Sequence, residues 1–336
     1  MRKRLLSYFL FICFLFFHVY SNAQSDSTYA EKLGFPKGKK VVILHVDDVG
    51  MSLESNNGAI ESMTQGVASS CSVMMPCSWV PGFIHYYKEH PGLDAGLHLT
   101  LTSEWKEYRW GPLSGKARVP GLTDTEGDLW PTVADVLNHA TADEVETEIR
   151  SQIDRALVMG FHPSHLDSHM GTLFASKALM ERYVKIGTEY KIPLMFPGGH
   201  NTIIKEQTKS TEEFMQAVRL VGKSLWNAGL PVLDDLHNES YDWKLPEGAK
   251  NDSASIQKLK TEYYKTVLSS LKPGITMVIM HCTKLSSLFN AISNSGITRW
   301  GDVLAMINPE LKEYIVQQGI IITTWTELMK RRNDIK

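Results

Sequence analysis

The sequence predicts an α/β fold whose sheet is mainly parallel. Short apolar segments rich in β-branched residues alternate with amphipathic segments from residue 41 to residue 324. No shift in composition marks a linker along this stretch, so we expect a single domain over residues 39–336. Strands that alternate with helices form parallel sheets, which are either closed as a barrel or open and doubly wound.

The first half of the chain contains three predicted strands. Residues 41–46 are an unbroken apolar run, which is typical of a buried parallel strand. Residues 67–75 form a second apolar run, and residues 93–101 alternate apolar and other side chains. Helical spacing of apolar residues predicts helices over residues 54–65, 81–89 and 141–159. The last begins with a capping-box pattern, in which Glu144 follows Thr141 by three residues.

Residues 103–130 follow the third predicted strand and have the composition of a long loop, rich in tryptophan, proline and glycine. A loop of this length in a compact domain is usually functional or forms a small subdomain. In the second half, the same criteria predict four strands, over residues 192–196, 231–236, 275–280 and 319–324. They also predict four helices, over residues 176–190, 211–228, 255–271 and 300–318.

The N-terminus has the features of a secretory signal peptide. Three basic residues precede an apolar stretch over residues 5–20, and Ser21 and Ala23 lie three and one residues before a cleavage point. A membrane anchor is the alternative, but this stretch is shorter than the roughly 20 residues that span a bilayer. We therefore expect a signal peptide over residues 1–23, a lead-in over residues 24–38, and a secreted or periplasmic protein with no stable anchor.

Composition excludes some functional classes. The net charge is −2 and no basic block occurs beyond the extreme N-terminus, which argues against a nucleic-acid partner. Cys71, Cys77 and Cys282 remain after signal cleavage. An odd number without regular spacing argues against a disulfide framework or a structural zinc site. One disulfide, between Cys71 and Cys77, is conceivable, but buried thiols are the simpler expectation.

Polar side chains with metal-binding capacity follow several predicted strands. Asp47 and Asp48 directly follow the strand over residues 41–46, and adjacent carboxylates are easier to accommodate beside a cation. The other positions of this kind are His98, His165, Asp167, His169 and His281. An aspartate with two histidines is a common ligand set for divalent metals.

The His165/His169 pair has the four-residue spacing that places two imidazoles on one face of a helix. Pro163 and the absence of an apolar stripe argue against a helix there. In a strand followed by a loop, only one of the two histidines needs to contact a metal.

Four ordered motifs resemble those of the YdjC family of ChbG/HpnK-type carbohydrate deacetylases. The motifs occupy residues 45–52, 96–102 and 163–169 and the strand that ends at His281, and the resemblance extends over about residues 40–330. It implies a distorted (β/α) barrel and metal-dependent removal of acetyl groups from N-acetylated sugars.

Site residues follow from the same resemblance, position by position. It implies that Asp48, His98 and His169 bind one divalent metal ion and that Asp47 is the acid/base carboxylate. His281 is a candidate for a second proton-transfer group. The family is often described with magnesium, whereas two imidazoles favour zinc. We favour a role for Asp167 in orienting an imidazole.

The chain departs from the family pattern at several positions. His45 replaces an asparagine and Val49 an aromatic residue. Residues 170–172 replace a histidine-rich segment, and residues 281–283 replace His-Pro-Gly. The three positions implied as metal ligands are unaffected by these changes.

Two other functional classes are compatible with the sequence. One is a metal-independent glycoside hydrolase in which Asp47 and Asp167 are the catalytic carboxylates. The other is a non-catalytic secreted carbohydrate-binding protein. Tryptophans that could stack on sugar rings are Trp105, Trp110, Trp130, Trp243 and Trp300.

Overall fold

The computed structural model describes residues 27–335, so the predicted signal peptide lies outside the described residues. Within residues 27–335, no helix combines the length and the apolar character needed to cross a bilayer. Cys71, Cys77 and Cys282 are buried free thiols, which confirms the simpler expectation for the cysteines.

One parallel sheet forms the centre of the molecule. Its strands are β1 (Lys40–Val49), β2 (Ser70–Val73), β3 (Ala95–Leu99), β4 (Leu166–Ser168), β5 (Asp235–His237), β6 (Gly274–Met280) and β7 (Ile321–Ile322). Their order is β4-β3-β2-β1-β6-β5. β1 is the central strand, because β6 pairs with one of its edges while β7 and then β2 pair with the other. Residues 41–44 of β1 are completely buried, as expected for a strand covered on both faces.

The segment over residues 194–197 joins the two edge strands of this sheet, β4 and β5, through two isolated bridges. Leu166 of β4 pairs with Leu194, and Pro197 pairs with Leu233 just before β5. Backbone hydrogen bonds of 2.8 Å from Met195 N to the Leu166 carbonyl oxygen and 3.2 Å from Leu233 N to that of Phe196 support the bridges. The sheet therefore curls toward closure, which confirms the distorted barrel.

The prediction of a regular strand over residues 192–196 is wrong, since only isolated bridges form there. Pro193 and Pro197 have no backbone N–H to donate, so a continuous ladder cannot form on this segment. The segment nevertheless occupies the position in the sheet that a strand would have filled.

Helices surround the barrel. They are α1 (Tyr29–Lys32), α2 (Leu53–Thr64), α3 (Val80–Glu89), α4 (Val133–His139), α5 (Ala142–Val158), α6 (Lys177–Tyr190), α7 (Thr202–Thr208), α8 (Glu212–Asn227), α9 (Ser253–Ser270), α10 (Ser287–Ile292), α11 (Gly296–Met306), α12 (Pro309–Gln317) and α13 (Trp325–Asp334). The capping box at Thr141 and Glu144 is present at the start of α5.

The prediction of one continuous helix over residues 300–318 is wrong, because the structure has two helices there. α11 ends at Met306, and α12 begins at Pro309 after an Asn308 cap whose side chain accepts a hydrogen bond from Glu310 N. Proline at the first position of a helix starts a new helix and cannot continue the preceding one.

The long loop over residues 103–130 is fixed against α5. Both carboxylate oxygens of Glu148 accept backbone hydrogen bonds, from Leu113 N at 3.0 Å and Ser114 N at 2.9 Å. Glu144 accepts a third, from Gly121 N at 2.6 Å. The loop is therefore a packed part of the structure and supports the residues at its start, which reach the candidate site.

Gly96 of β3 packs directly against His165. A Cβ atom at residue 96 would lie 2.4 Å from two atoms of the His165 ring and 2.5 Å from its carbonyl oxygen. We expect Gly96→Ala to lower the free energy of unfolding by about 1–3 kcal/mol or more, because the backbone oxygen cannot move away. Urea denaturation measures this change, and a variant as stable as the wild type would contradict it. Gly92→Ala, where no atom lies within 4 Å, is the matched control.

Candidate active site

Asp47 and Asp48 both reach the candidate site, although adjacent residues on a regular strand point to opposite faces. A β-bulge explains this, because β1 advances three residues between Val46 and Val49 while β2 advances two. Asp48 has a left-handed φ of 64°, which aspartate tolerates better than most residues. Consequently one carboxylate oxygen of each aspartate lies within 4 Å of Nε2 of His98.

Asp48, His98 and His169 converge on one point. Oδ1 of Asp48 lies 3.4 Å from Nε2 of His98 and 3.4 Å from Nδ1 of His169. One nitrogen or oxygen atom from each of the three residues lies within 4.8 Å of the others, and all three residues are buried. Within residues 27–335, no group donates a hydrogen bond to Asp48 Oδ1. A buried anionic oxygen without a donor is costly, so its surroundings suit a cation.

A second carboxylate fixes each of these imidazoles on its other nitrogen. Oδ1 of Asp167 lies 2.6 Å from Nδ1 of His98, and Oε2 of Glu104 lies 3.0 Å from Nε2 of His169. In a neutral imidazole, a carboxylate at one ring nitrogen holds the single proton there, which leaves the lone pair of the other nitrogen available to a cation beside Asp48. Carboxylate–histidine pairs of this kind orient histidine ligands in metal sites.

Arg299 of α11 neutralises Asp48 from the side. Its Nη1 donates a 2.7 Å hydrogen bond to Asp48 Oδ2, and its Nε donates one of 2.8 Å to Ser295. Burial by itself raises the pKa of Asp48, but the charge of Arg299 and the imidazoles of His169 and His98 outweigh burial and hold that pKa well below its usual range. Asp48 is therefore ionised at neutral pH.

Asp47 lies between this cluster and His281. Its Oδ1 accepts a 3.3 Å hydrogen bond from Ser72, whereas its Oδ2 faces Nε2 of His98 at 3.8 Å and Nε2 of His281 at 3.9 Å. The His281 side chain retains 16% of its exposure, so this imidazole lines the opening of the site. Its backbone N–H donates a 3.1 Å hydrogen bond to Asp302, and burial lowers the pKa of its side chain.

A further layer of polar residues lies beneath the cluster. His45 and His165 are completely buried and lie edge to face, with ring centroids 4.9 Å apart. His165 stacks on Trp325 of α13, at 5.0 Å and an interplanar angle of 16°. Burial lowers the pKa of His45, but hydrogen bonds and charges from Asp167 and Asp47 raise it to about 9. Of the two histidines in the HxxxH pair, only His169 reaches the cluster with Asp48, because His165 belongs to the lower layer.

Aromatic side chains flank the opening. The guanidinium carbon of Arg299 lies 5.9 Å from the ring of Trp105 and 5.1 Å from that of Tyr241, and Tyr241 lies 4.9 Å from His281. Among the tryptophans proposed for sugar stacking, Trp105 is therefore the one next to the site. Trp110 is buried, and its indole donates a 3.0 Å hydrogen bond to the Thr102 carbonyl oxygen.

Sequence reasoning identified the aspartates and histidines of the cluster but missed Arg299 and Glu104. A signal for Arg299 exists, because it and Asp302 are the only charged residues in α11. A charge in an apolar helix needs a buried partner. Glu104 carries no comparable signal, since it lies in a loop beside exposed charged residues.

The donor set fits a divalent cation. Asp47, Asp48 and Asp167 are buried, and Arg299 is the only buried guanidinium or ammonium group that contacts them within the described part of the chain. Two negative charges are therefore uncompensated when the imidazoles are neutral, and one remains when His45, whose pKa is raised to about 9, is protonated. The 3.4 Å separations around Asp48 Oδ1 match the roughly 3.3 Å between ligands of a tetrahedral zinc ion. We call Asp48, His98 and His169 the proposed metal site.

The site lies at the carboxyl ends of β1, β3, β4 and β6, where parallel barrels carry their catalytic residues. The fold and the buried polar cluster thus define an α/β-barrel enzyme. The chain belongs to the family of YdjC-like proteins, whose family profile matches residues 41–317.

Curated relatives are similar to this chain over part or most of its length. A carbohydrate deacetylase from Thermus thermophilus is 28% identical over 289 residues, which cover 85% of this chain and 93% of the relative. A chitooligosaccharide deacetylase from Yersinia enterocolitica is 30% identical over 135 residues, or 39% of this chain and 49% of the relative. A crystal structure from Enterococcus faecalis, of a protein for which cellobiose-phosphate cleavage has been suggested, has a TM-score of 0.68. It is 20% identical, and the match covers 86% of this chain and 99% of that one, so it supports the fold alone.

Proposed function

We propose that this protein is a divalent-metal-dependent hydrolase that removes acetyl groups from N-acetylated sugars. The observation that carries the proposal is the convergence of Asp48, His98 and His169 beside the carboxylate of Asp47. Membership of the YdjC-like family and similarity to curated carbohydrate deacetylases support the substrate class. The donor set of two imidazoles and one carboxylate supports zinc over magnesium.

An acetamide resists hydrolysis because its carbonyl is a poor electrophile and its amine a poor leaving group. When bound, a divalent cation supplies Lewis acidity, which polarises the acetyl carbonyl and acidifies water. The protein contributes the other groups. Arg299 keeps Asp48 anionic, and Asp167 and Glu104 orient the two imidazoles so that the other nitrogen of each ring faces the position where a cation would bind.

Asp47 is the proposed general base. Its Oδ1 is fixed by Ser72, whereas Oδ2 faces the site and is free to accept a proton from the attacking water. The water oxygen forms a bond to the acetyl carbon, and the carbon–nitrogen bond then breaks. When protonated, His281 at the opening is positioned to give a proton from Nε2 to the departing amine, and the proton that Asp47 takes from water restores it across 3.9 Å. Acetate and an amino sugar are the products.

The glycoside hydrolase alternative receives no support from this geometry. It requires Asp167 to reach the substrate. However, Asp167 is buried beneath His98, and its Oδ1 is hydrogen-bonded to His98 Nδ1 at 2.6 Å. Secretion remains part of the proposal and rests on the signal-peptide pattern over residues 1–23.

The direct test is acetate release from a panel of N-acetylated monosaccharides and oligosaccharides. We expect removal of metal by a chelator to lower the rate by about 10³-fold or more, because Lewis acidity contributes several kcal/mol to catalysis and each 1.4 kcal/mol is tenfold. Readdition of zinc, magnesium, manganese or cobalt should restore activity and identify the preferred ion. Acetate release that is insensitive to the chelator, in protein shown by elemental analysis to be metal-free, would contradict the proposal.

A further inference from the structure

His45 contacts two carboxylates that serve different parts of the site. Its Nε2 lies 3.1 Å from Asp47 Oδ1 and 2.9 Å from Asp167 Oδ2. Ser72 Oγ lies 3.1 Å from the same nitrogen. The opposite nitrogen, Nδ1, has no hydrogen-bond partner within residues 27–335. Carboxylates only accept hydrogen bonds, so Nε2 carries a proton whether the ring is neutral or charged.

We propose that His45 is a positioning residue that joins Asp47 to Asp167 and, through Asp167, to His98. This inference rests on the proposed function, because it assigns Asp47 as base and His98 as metal ligand. Without the Nε2 proton, Asp47 Oδ1 would keep only Ser72 as a donor, and the nearest nitrogen to Asp167 Oδ2 after that of His45 is Nε2 of His165 at 3.5 Å. Repulsion between the two carboxylates would move Asp167 away from His98 and Asp47 away from the water that it is to deprotonate.

The structure favours this role over direct metal binding by His45. His45, His165 and Asp167 have the composition of a second metal site. However, the 2.9 Å between His45 Nε2 and Asp167 Oδ2 is shorter than the roughly 3.3 Å between ligands of a tetrahedral ion and lies within hydrogen-bond reach, although the angle of approach is not that of a regular hydrogen bond. A second divalent cation would also exceed the two negative charges that one such ion already balances.

His45→Leu tests the inference, because it removes the donor and fills the position with an apolar side chain of similar volume. We expect the affinity of the folded protein for zinc, measured by competition with a chromophoric chelator, to fall about 10–100-fold. We also expect kcat to fall with KM nearly unchanged, since no substrate contact is lost. His45→Gln places an amide N–H near the position of Nε2 and should recover most of both quantities.

Ser72→Ala is the matched control. It removes the other donor to Asp47 Oδ1 and one contact to His45 Nε2, but it leaves the 2.9 Å approach of His45 Nε2 to Asp167 in place. Its zinc affinity should therefore equal that of the wild type. If His45→Leu does not fold, as judged by circular dichroism and thermal unfolding, His45→Met removes the donor with a more adaptable side chain.

Two results would overturn the inference. One is wild-type zinc affinity in a folded variant without a donor at residue 45. The other is elemental analysis with two zinc ions in the wild type and one in His45→Gln, which would make His45 a ligand. The affinity measurement needs no substrate. Suppose that His45→Leu shows the expected fall in zinc affinity but the wild type releases acetate from none of the sugars. That result would refute the proposed function and leave the positioning role of His45 intact.

Discussion

Asp48→Asn is expected to abolish binding of the divalent cation and, with it, acetate release. The substitution removes the only carboxylate of the proposed metal site and the charge that attracts the cation into a buried position. The loss of rate should reach about 10³-fold, the effect expected for losing the Lewis acid itself. Elemental analysis after gel filtration and the acetate assay measure the two losses.

Asparagine is the appropriate replacement because it tolerates the left-handed backbone at residue 48. Its amide oxygen also remains available to Arg299, whose buried charge would otherwise be left without a partner. His169→Ala should give the same double loss, and His162→Ala, at an exposed histidine, should give neither. Full metal content in both Asp48→Asn and His169→Ala would refute the ligand assignment.

Asp47→Asn is expected to retain the metal and lose most turnover. An amide cannot accept the proton of the attacking water, and a positioned general base contributes about 10²–10⁴-fold to the rate. Because Asp47 is not assigned to the metal site, metal content and KM should stay close to the wild-type values. Steady-state kinetics with elemental analysis of the same preparation separate this effect from metal loss.

Asp154→Asn is the control for Asp47→Asn, since Asp154 is exposed on α5 and does not belong to the cluster. Turnover of Asp47→Asn within a few-fold of the wild type would exclude Asp47 as the base. Loss of metal from this variant would instead move Asp47 into the ligand set, in agreement with its 3.8 Å approach to His98.

Regular local patterns allowed much of the fold to be predicted. Helices α2, α3, α5, α6, α8 and α9 lie within two residues of their predicted ends, because amphipathic spacing and capping residues are local signals. The predicted lengths of the strands were less accurate, because a strand continues only as far as a neighbouring strand pairs with it. β2 and β7 are shorter than the apolar runs that contain them.

Some residues of the candidate site could also be predicted from the sequence, whereas others could not. Asp47, Asp48, His98 and His169 were identified because each lies at or just beyond the end of a strand, and parallel strands end on the same side of a barrel. Arg299 and Glu104 reach the cluster from α11 and from the loop over residues 103–130. The packing of such elements on the barrel depends on the tertiary structure.

By itself, the sequence determined an alternating parallel α/β chain with acidic and imidazole side chains at its strand ends. The tertiary structure decided which of these groups meet, because the β-bulge after Val46 and the left-handed Asp48 turn two adjacent carboxylates toward His98. It also assigned His169 to the cluster and His165 to the layer beneath, although the two histidines lie only four residues apart. Backbone irregularities and contacts between distant segments depend on the balance of packing over the whole domain, which no short stretch of sequence encodes.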